Sequence, residues 1–191
     1  SSISRSRSIK YGLPAAAEKE EALAAMRGSK YVQSDPRHTF RQVRDALRAG
    51  RRVLYSGTPC QVAGLLRFLG KADANLLTVE LICHGVPSPA VFDAFKAELA
   101  AEHGSAPTSI SARDKHYSWR RCSLVSTYAD TSENREDLYT NRYIRAFLSD
   151  LCLRPSCYRC RAREGRSGAD ITLADFWGVN KLCPQALAAA G

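Results

Sequence analysis

Residues 76–83, L-L-T-V-E-L-I-C, limit the possible folds more than any other stretch. So short and so nearly continuous an apolar run reads as a strand covered on both faces of a parallel sheet. A parallel neighbour can only be reached through a crossover, so the flanks must supply helices. Before the run, R-V-L-Y-S at 52–56 forms a short strand, and G-T-P at 57–59 a tight turn. Residues 60–69 then form a helix stopped by Gly70. After it, H-G-V-P-S-P at 84–89 turns the chain into a helix over 89–102. Val91, Phe92, Phe95 and Leu99 line its apolar face and Gly104 ends it. Strand, helix, strand, helix predicts a βαβ unit within an α/β fold.

The rest of the chain is built around that unit. Residues 15–27 are Ala- and Glu-rich and read as a surface helix closed by Gly28. A further helix is expected from a Ser34 or Asp35 cap, with Pro36 at its first position and Phe40, Val43 and Leu47 on one face. Residues 108–113 and 119–128 are expected as antiparallel strands joined by 114–118, making the sheet mixed. Residues 140–151 read as a helix with Tyr143, Ile144, Phe147 and Leu148 inward, and 171–174 as a last strand.

A chain of 191 residues supports one sizeable core. No apolar run approaches the roughly 20 residues of a membrane helix, and no signal segment follows the Ser- and Arg-rich start. The missing initiator Met and the end at Gly191 point to a fragment of a longer chain. The net charge of +9 is partly local: Arg154, Arg159, Arg161, Arg163 and Arg166 crowd one stretch with Glu164 as its only acid. Such a stretch is either a solvated basic loop or a patch for an anionic partner. No alternation of aromatic and basic residues supports nucleic acid as that partner.

Chemistry points to the cysteines. Cys157 and Cys160 form a C-x-x-C, which alone is half a metal site, a redox dithiol or two unrelated thiols. Cys60 and Cys83 each sit where an expected strand runs into a turn, beyond the carboxyl ends of strands, where chemistry in such sheets gathers. Four thiols at backbone corners can cage an iron–sulfur cluster or zinc. Seven cysteines is an odd count; in a chain of this size without a secretory signal, metal binding or catalysis is favoured over a disulfide framework, and a cytoplasmic setting is expected. Cys152 is near enough in sequence to rival Cys157 as a ligand, while Cys122 reads as core and Cys183 as bystander. Cys83 and His84 are neighbours in an extended segment and point apart, which argues against a catalytic dyad. Tyr117, Trp119 and Trp177 could stack on a flavin or a base, or pack in the core or at its rim.

Several motifs occur in order: S-K-Y-V-Q-S at 29–34, S-G-T-P-C-Q at 56–61, I-C-H-G-V-P-S-P at 82–89, R-D-K at 113–115, L-R-P-S-C-Y-R-C at 153–160 and A-D-I-T-L-A-D-F-W-G at 169–178. Together they resemble the coenzyme F420 hydrogenase/dehydrogenase beta-subunit family, in particular its C-terminal domain. The resemblance implies an iron–sulfur flavoprotein domain over residues 28–180, between an ill-defined segment at 1–27 and a truncated tail at 181–191. It implies part of an oxidoreductase, carrying a [4Fe-4S] cluster and FAD, with coenzyme F420, a deazaflavin hydride carrier, as substrate. Carried over by motif, Cys60, Cys83, Cys157 and Cys160 are cluster ligands. Ser56, Gly57, Thr58, Arg113 and Lys115 contact flavin or phosphate. Arg154 and Arg159 would offset the charge of a four-thiolate cluster. Many relatives with the C-H-G-V-P-S-P wording carry a ferredoxin-like segment with C-x-x-C-x-x-C runs. The sequence has none, so electron delivery calls for a partner protein or a missing segment. The alternative is a non-enzymatic binding module in which the same thiolates hold structural zinc.

Overall fold

The computed structural model describes residues 17, 31, 32, 34–118, 121–175 and 178–183. The helix expected at 15–27 (Ala17 apart), Trp119, Trp177 and the tail beyond residue 183 lie outside the described residues. In chain order the elements begin with α1 (Thr39–Arg48), β1 (Val53–Gly57), α2 (Pro59–Leu69), β2 (Leu76–Leu81), α3 (Pro89–His103) and β3 (Ser109–Asp114). They continue with β4 (Ser123–Thr127), β5 (Glu133–Asp137), α4 (Arg142–Leu148), α5 (Pro155–Tyr158), β6 (Ile171–Leu173) and α6 (Val179–Leu182). The chain forms two compact units: one takes Ser1–Thr39 and His84–Arg159, the other Phe40–Cys83 and Cys160–Gly191.

In the second unit β1, β2 and β6 form a parallel sheet in that order, with Val53 beside Leu76 and Val79 beside Ile171. β1, α2 and β2 are the expected βαβ unit. Val43 and Leu47 of α1 and Val62 and Leu65 of α2 pack on Tyr55, Val53 and Leu76 of one sheet face. Strand alternation puts Leu54, Leu77, Leu81, Ile171 and Leu173 on the other face, where they are 41–65% exposed. Among the described residues α1 and α2 both pack on the first face; of the β2 residues on the other, Val79 is buried while Leu77 and Leu81 are exposed. α1 also starts later than Ser34 or Asp35. The Asp35 carboxylate is taken up by Arg37 N–H (3.1 Å) and Nε (3.2 Å), and Arg37 sits at φ 37°.

In the first unit β3, β4 and β5 form an antiparallel sheet of their own, with Ser111 beside Val125 and Ser123 beside Asp137. The fold is thus α/β as the sequence predicts, with parallel and antiparallel strands in separate sheets. Phe92, Phe95 and Leu99 of α3 pack with Cys122, Leu124, Tyr143 and Ile144 into a second core. Tyr143 stacks on Phe95, ring centroids 4.9 Å apart, and donates its hydroxyl to Tyr31 O at 3.0 Å. Asn141 caps α4 by accepting from Ile144 N–H at 3.1 Å. Leu148, expected inward, is exposed. β5, E-N-R-E-D, lacks any apolar residue; Arg135 at its centre pairs with Asp114 of β3.

Candidate functional site

The turn from β1 into α2 carries Ser56, Gly57, Thr58 and Cys60. Pro59 occupies the first helical position, where its missing N–H costs nothing. Gln61 Oε1 reaches back to accept from Thr58 N–H and Thr58 Oγ1–H, both at 3.1 Å. Thr58 Oγ1 also lies 3.3 Å from Cys60 Sγ. A Cβ on Gly57 would sit 3.2 Å from Gln61 Oε1 and 3.3 Å from Tyr55 Cε1, so a side chain there would press on that arm. Cys60 is exposed. Burial pushes the Tyr55 phenol up to about 12, and negative charge on Cys60 adds to the rise.

Cys83 follows β2 by two residues. Ile82 N–H donates to Leu173 O at 2.9 Å, which carries the pairing with β6 up to the residue before the thiol. Cys60 and Cys83 therefore follow the carboxyl ends of two adjacent parallel strands, in the unit that also holds Cys160. At the amino end of β6, Asp170 Oδ2 accepts from Thr78 N–H and Thr78 Oγ1–H, both at 2.7 Å. These bonds hold the Asp170 carboxyl below the usual carboxylate range. Glu80 is buried at the far end of the same face. Its Oε1 accepts from Thr172 Oγ1 at 3.0 Å, while Oε2 has no hydrogen-bond partner among the described residues.

Cys157 belongs to the first unit, where the C-H-G-V-P-S-P segment is zipped to the chain before the C-x-x-C. Arg154 N–H donates to Val86 O at 2.9 Å, Ser88 N–H donates to Cys152 O at 2.7 Å, and Pro87 bridges Leu153 in antiparallel register. Gly85 makes that approach possible: a Cβ there would meet Leu153 Cδ1 at 2.8 Å. His84 Nε2 lies 2.9 Å from Asp150 Oδ1 and 3.3 Å from Phe147 O, so Nε2 carries the proton. Tyr158, inside the C-x-x-C, donates its hydroxyl to Asp150 O. Asp150 thus joins His84, the neighbour of Cys83, to Tyr158, the neighbour of Cys157. Sequence reading missed it, because the helix expected over 140–151 ends at Leu148 and leaves Asp150 outside it at φ 59°, a conformation that Asp tolerates.

Arg113, half-buried in β3, and Lys115, exposed after it, flank Asp114 in the first unit. Arg135 beside Asp114 holds its carboxyl below the usual range. Ser56, Gly57 and Thr58 are in the second unit, so the five expected flavin contacts fall into two groups. Cys122 is core, as expected, and burial pushes the Cys152 thiol up. A cleft of about 320 Å³ lined by Glu102, His103, Tyr128, Ser132, Glu133 and Asn134 holds none of the expected site residues.

The donor chemistry suits a thiolate-held group: Cys60, Cys83, Cys157 and Cys160 all reach solvent at least in part, and none of the seven cysteines is in a disulfide. Among the described residues, no three His, Cys, Asp or Glu side chains are gathered to hold a metal ion. Among them, too, no helix is long and apolar enough to cross a membrane.

No curated protein matches the sequence. Among solved structures, the F420-reducing [NiFe] hydrogenase complex from Methanosarcina barkeri has a chain that is 15% identical, with a TM-score of 0.49. The match covers 91% of this chain and 61% of that one, so this chain spans about three fifths of its length. The family described as the C terminus of the beta subunit of coenzyme F420 hydrogenase/dehydrogenase matches residues 50–186. That range takes in both sheets, the zipped segment and all four expected cluster ligands, and the chain belongs to the coenzyme F420 hydrogenase/dehydrogenase beta-subunit family.

Proposed function

We propose that the chain is an iron–sulfur flavoprotein redox module of an oxidoreductase, working between reduced coenzyme F420 and an electron-transfer partner. Cys60, Cys83, Cys157 and Cys160 would hold a [4Fe-4S] cluster, and Ser56, Gly57, Thr58, Arg113 and Lys115 would contact FAD. When bound, FAD supplies the change from hydride to single-electron chemistry and the cluster supplies one-electron transfer. The observation that carries the reading is the position of Cys60 and Cys83 directly after the carboxyl ends of two paired parallel strands, where α/β sheets place ligands.

The chain's own residues have definable tasks. Pro59 stiffens the turn before Cys60, and Thr58 Oγ1, whose proton goes to Gln61 Oε1, lies 3.3 Å from Cys60 Sγ. Gly57 keeps the backbone bare for close approach by a cofactor. Arg113 and Lys115 supply positive charge for a phosphate. No side chain would be required as general acid or base, since the bound cofactors would supply the hydride chemistry. Thiolate ligation calls for a reducing compartment, and we assign the protein to the cytoplasm.

The test is anaerobic mixing of the FAD-loaded chain with reduced coenzyme F420 while both chromophores are followed. Oxidised F420 should appear as the flavin bleaches, one F420 per flavin, since each hydride carries two electrons. If dithionite bleaches the flavin and reduced F420 does not, coenzyme F420 is not the donor.

A further inference from the structure

We infer that the turn immediately after Cys160 is a docking site for an acidic protein. The turn, R-A-R-E-G-R-S at 161–167, is built rather than loose. Ala162 and Ser167 are buried and anchor it in the second unit, and Ser167 Oγ accepts from Ala169 N–H at 3.0 Å. Gly168 is close enough to Leu66 that a Cβ would come within 3.2 Å of Leu66 Cδ1.

Arg166 is spent on the turn itself. Its N–H and Nε donate to Arg163 O at 3.3 and 3.1 Å, and its Nη2 pairs with Glu164 Oε2 at 2.9 Å. That pairing neutralises the only acid of the turn. Arg161 and Arg163 are exposed, and among the described residues neither has a carboxylate partner. The segments of this unit carry eleven Lys and Arg against six Asp and Glu, so the surrounding charge reinforces the turn.

Two guanidinium forks on a preformed turn suit carboxylates, which they can grip in bidentate fashion with the backbone already ordered. Nucleic acid fits less well. The turn has no aromatic ring for base stacking and only two unspent cations for phosphates. The kind of partner follows from the proposed redox role, on which this step rests: a protein exchanging electrons with a group on Cys160 must sit close to that residue. Electron-transfer encounters are small and steered by charge. An acidic electron carrier meets both conditions.

The probe is an acidic plant-type [2Fe-2S] ferredoxin, with binding to the 191-residue chain measured by calorimetry at roughly 50 and 200 mM salt. Binding should weaken about tenfold across that range. Arg161→Glu with Arg163→Glu should weaken it by about tenfold or more, and Arg161→Lys with Arg163→Lys, which keeps the charge but not the bidentate fork, should recover only part of it. Arg41→Glu with Arg48→Glu, the same charge change at exposed positions of α1, should leave it within about twofold. Equal losses in both Glu pairs, or none in the turn pair, would overturn the proposal. So would a turn pair that lost binding to a single-stranded oligonucleotide while keeping its affinity for ferredoxin. Iron assayed in the chain before ferredoxin is added separates the two readings. Ferredoxin binding by an iron-free chain would leave the docking site standing while the redox role failed.

Discussion

Asp170 shows how a single residue can join distant stretches of chain. Its carboxylate accepts two bonds from Thr78, and its own N–H donates to Thr78 Oγ1 at 3.0 Å, so the start of β6 is locked to β2. Because the folded carboxyl is held below its ordinary value, the bond contributes stability above about pH 4 and loses it as pH falls through the folded value. Asp170→Asn keeps an acceptor but removes the charge. It should melt several degrees below the parent at pH 7, with the gap narrowing as pH falls below about 4 in thermal scans by circular dichroism. A gap independent of pH would mean that the charge plays no part. Residues of this kind are illegible beforehand: nothing in A-D-I-T-L says that Asp170 will meet a threonine ninety-two positions earlier. Core residues are legible, because Val43 and Leu47 or Phe92, Phe95 and Leu99 repeat at helical spacing.

Among the elements, the zipped segment is the most exposed to test. Gly85 stands at φ 147°, and any Cβ would strike Leu153, whose side chain is buried. Gly85→Ala should destabilise the fold by about 1–3 kcal/mol, combining backbone strain with a shift of Leu153. Urea unfolding would measure it, and an unchanged midpoint would show that the 86–88 and 152–154 strands close without the glycine. The sequence marks this segment as turn residues but cannot show what it pairs with. β5 is hidden for another reason. E-N-R-E-D at a sheet edge carries charges where a buried strand carries alternating apolar residues, so period gives no signal. β2 is the opposite case: its apolar run is plain, yet periodicity cannot reveal that both helices pack on the face of Leu76, Thr78 and Glu80. α5 is a single turn of helix that Pro155 and Ser156 announce only as a turn.

For the whole chain, the two-unit plan has a simple connectivity. The chain leaves the parallel-sheet unit at Cys83, builds the antiparallel unit, and returns at Cys160 to add β6. After the earlier change at Phe40, the residue at which it leaves and the residue at which it returns are cysteines, and both are proposed ligands. The motifs around them identify the family from sequence alone, while an insertion of this kind is invisible in a continuous string of residues. The central claim is that Cys60, Cys83, Cys157 and Cys160 hold a [4Fe-4S] cluster. The direct measurement is iron, sulfide and zinc content, with a visible spectrum, of chain purified and reconstituted without oxygen, beside a Cys157→Ser, Cys160→Ser variant. The account predicts about four irons per chain and a broad visible band, both lost in the variant. One zinc per chain and no colour would contradict it and leave a structural zinc module in its place.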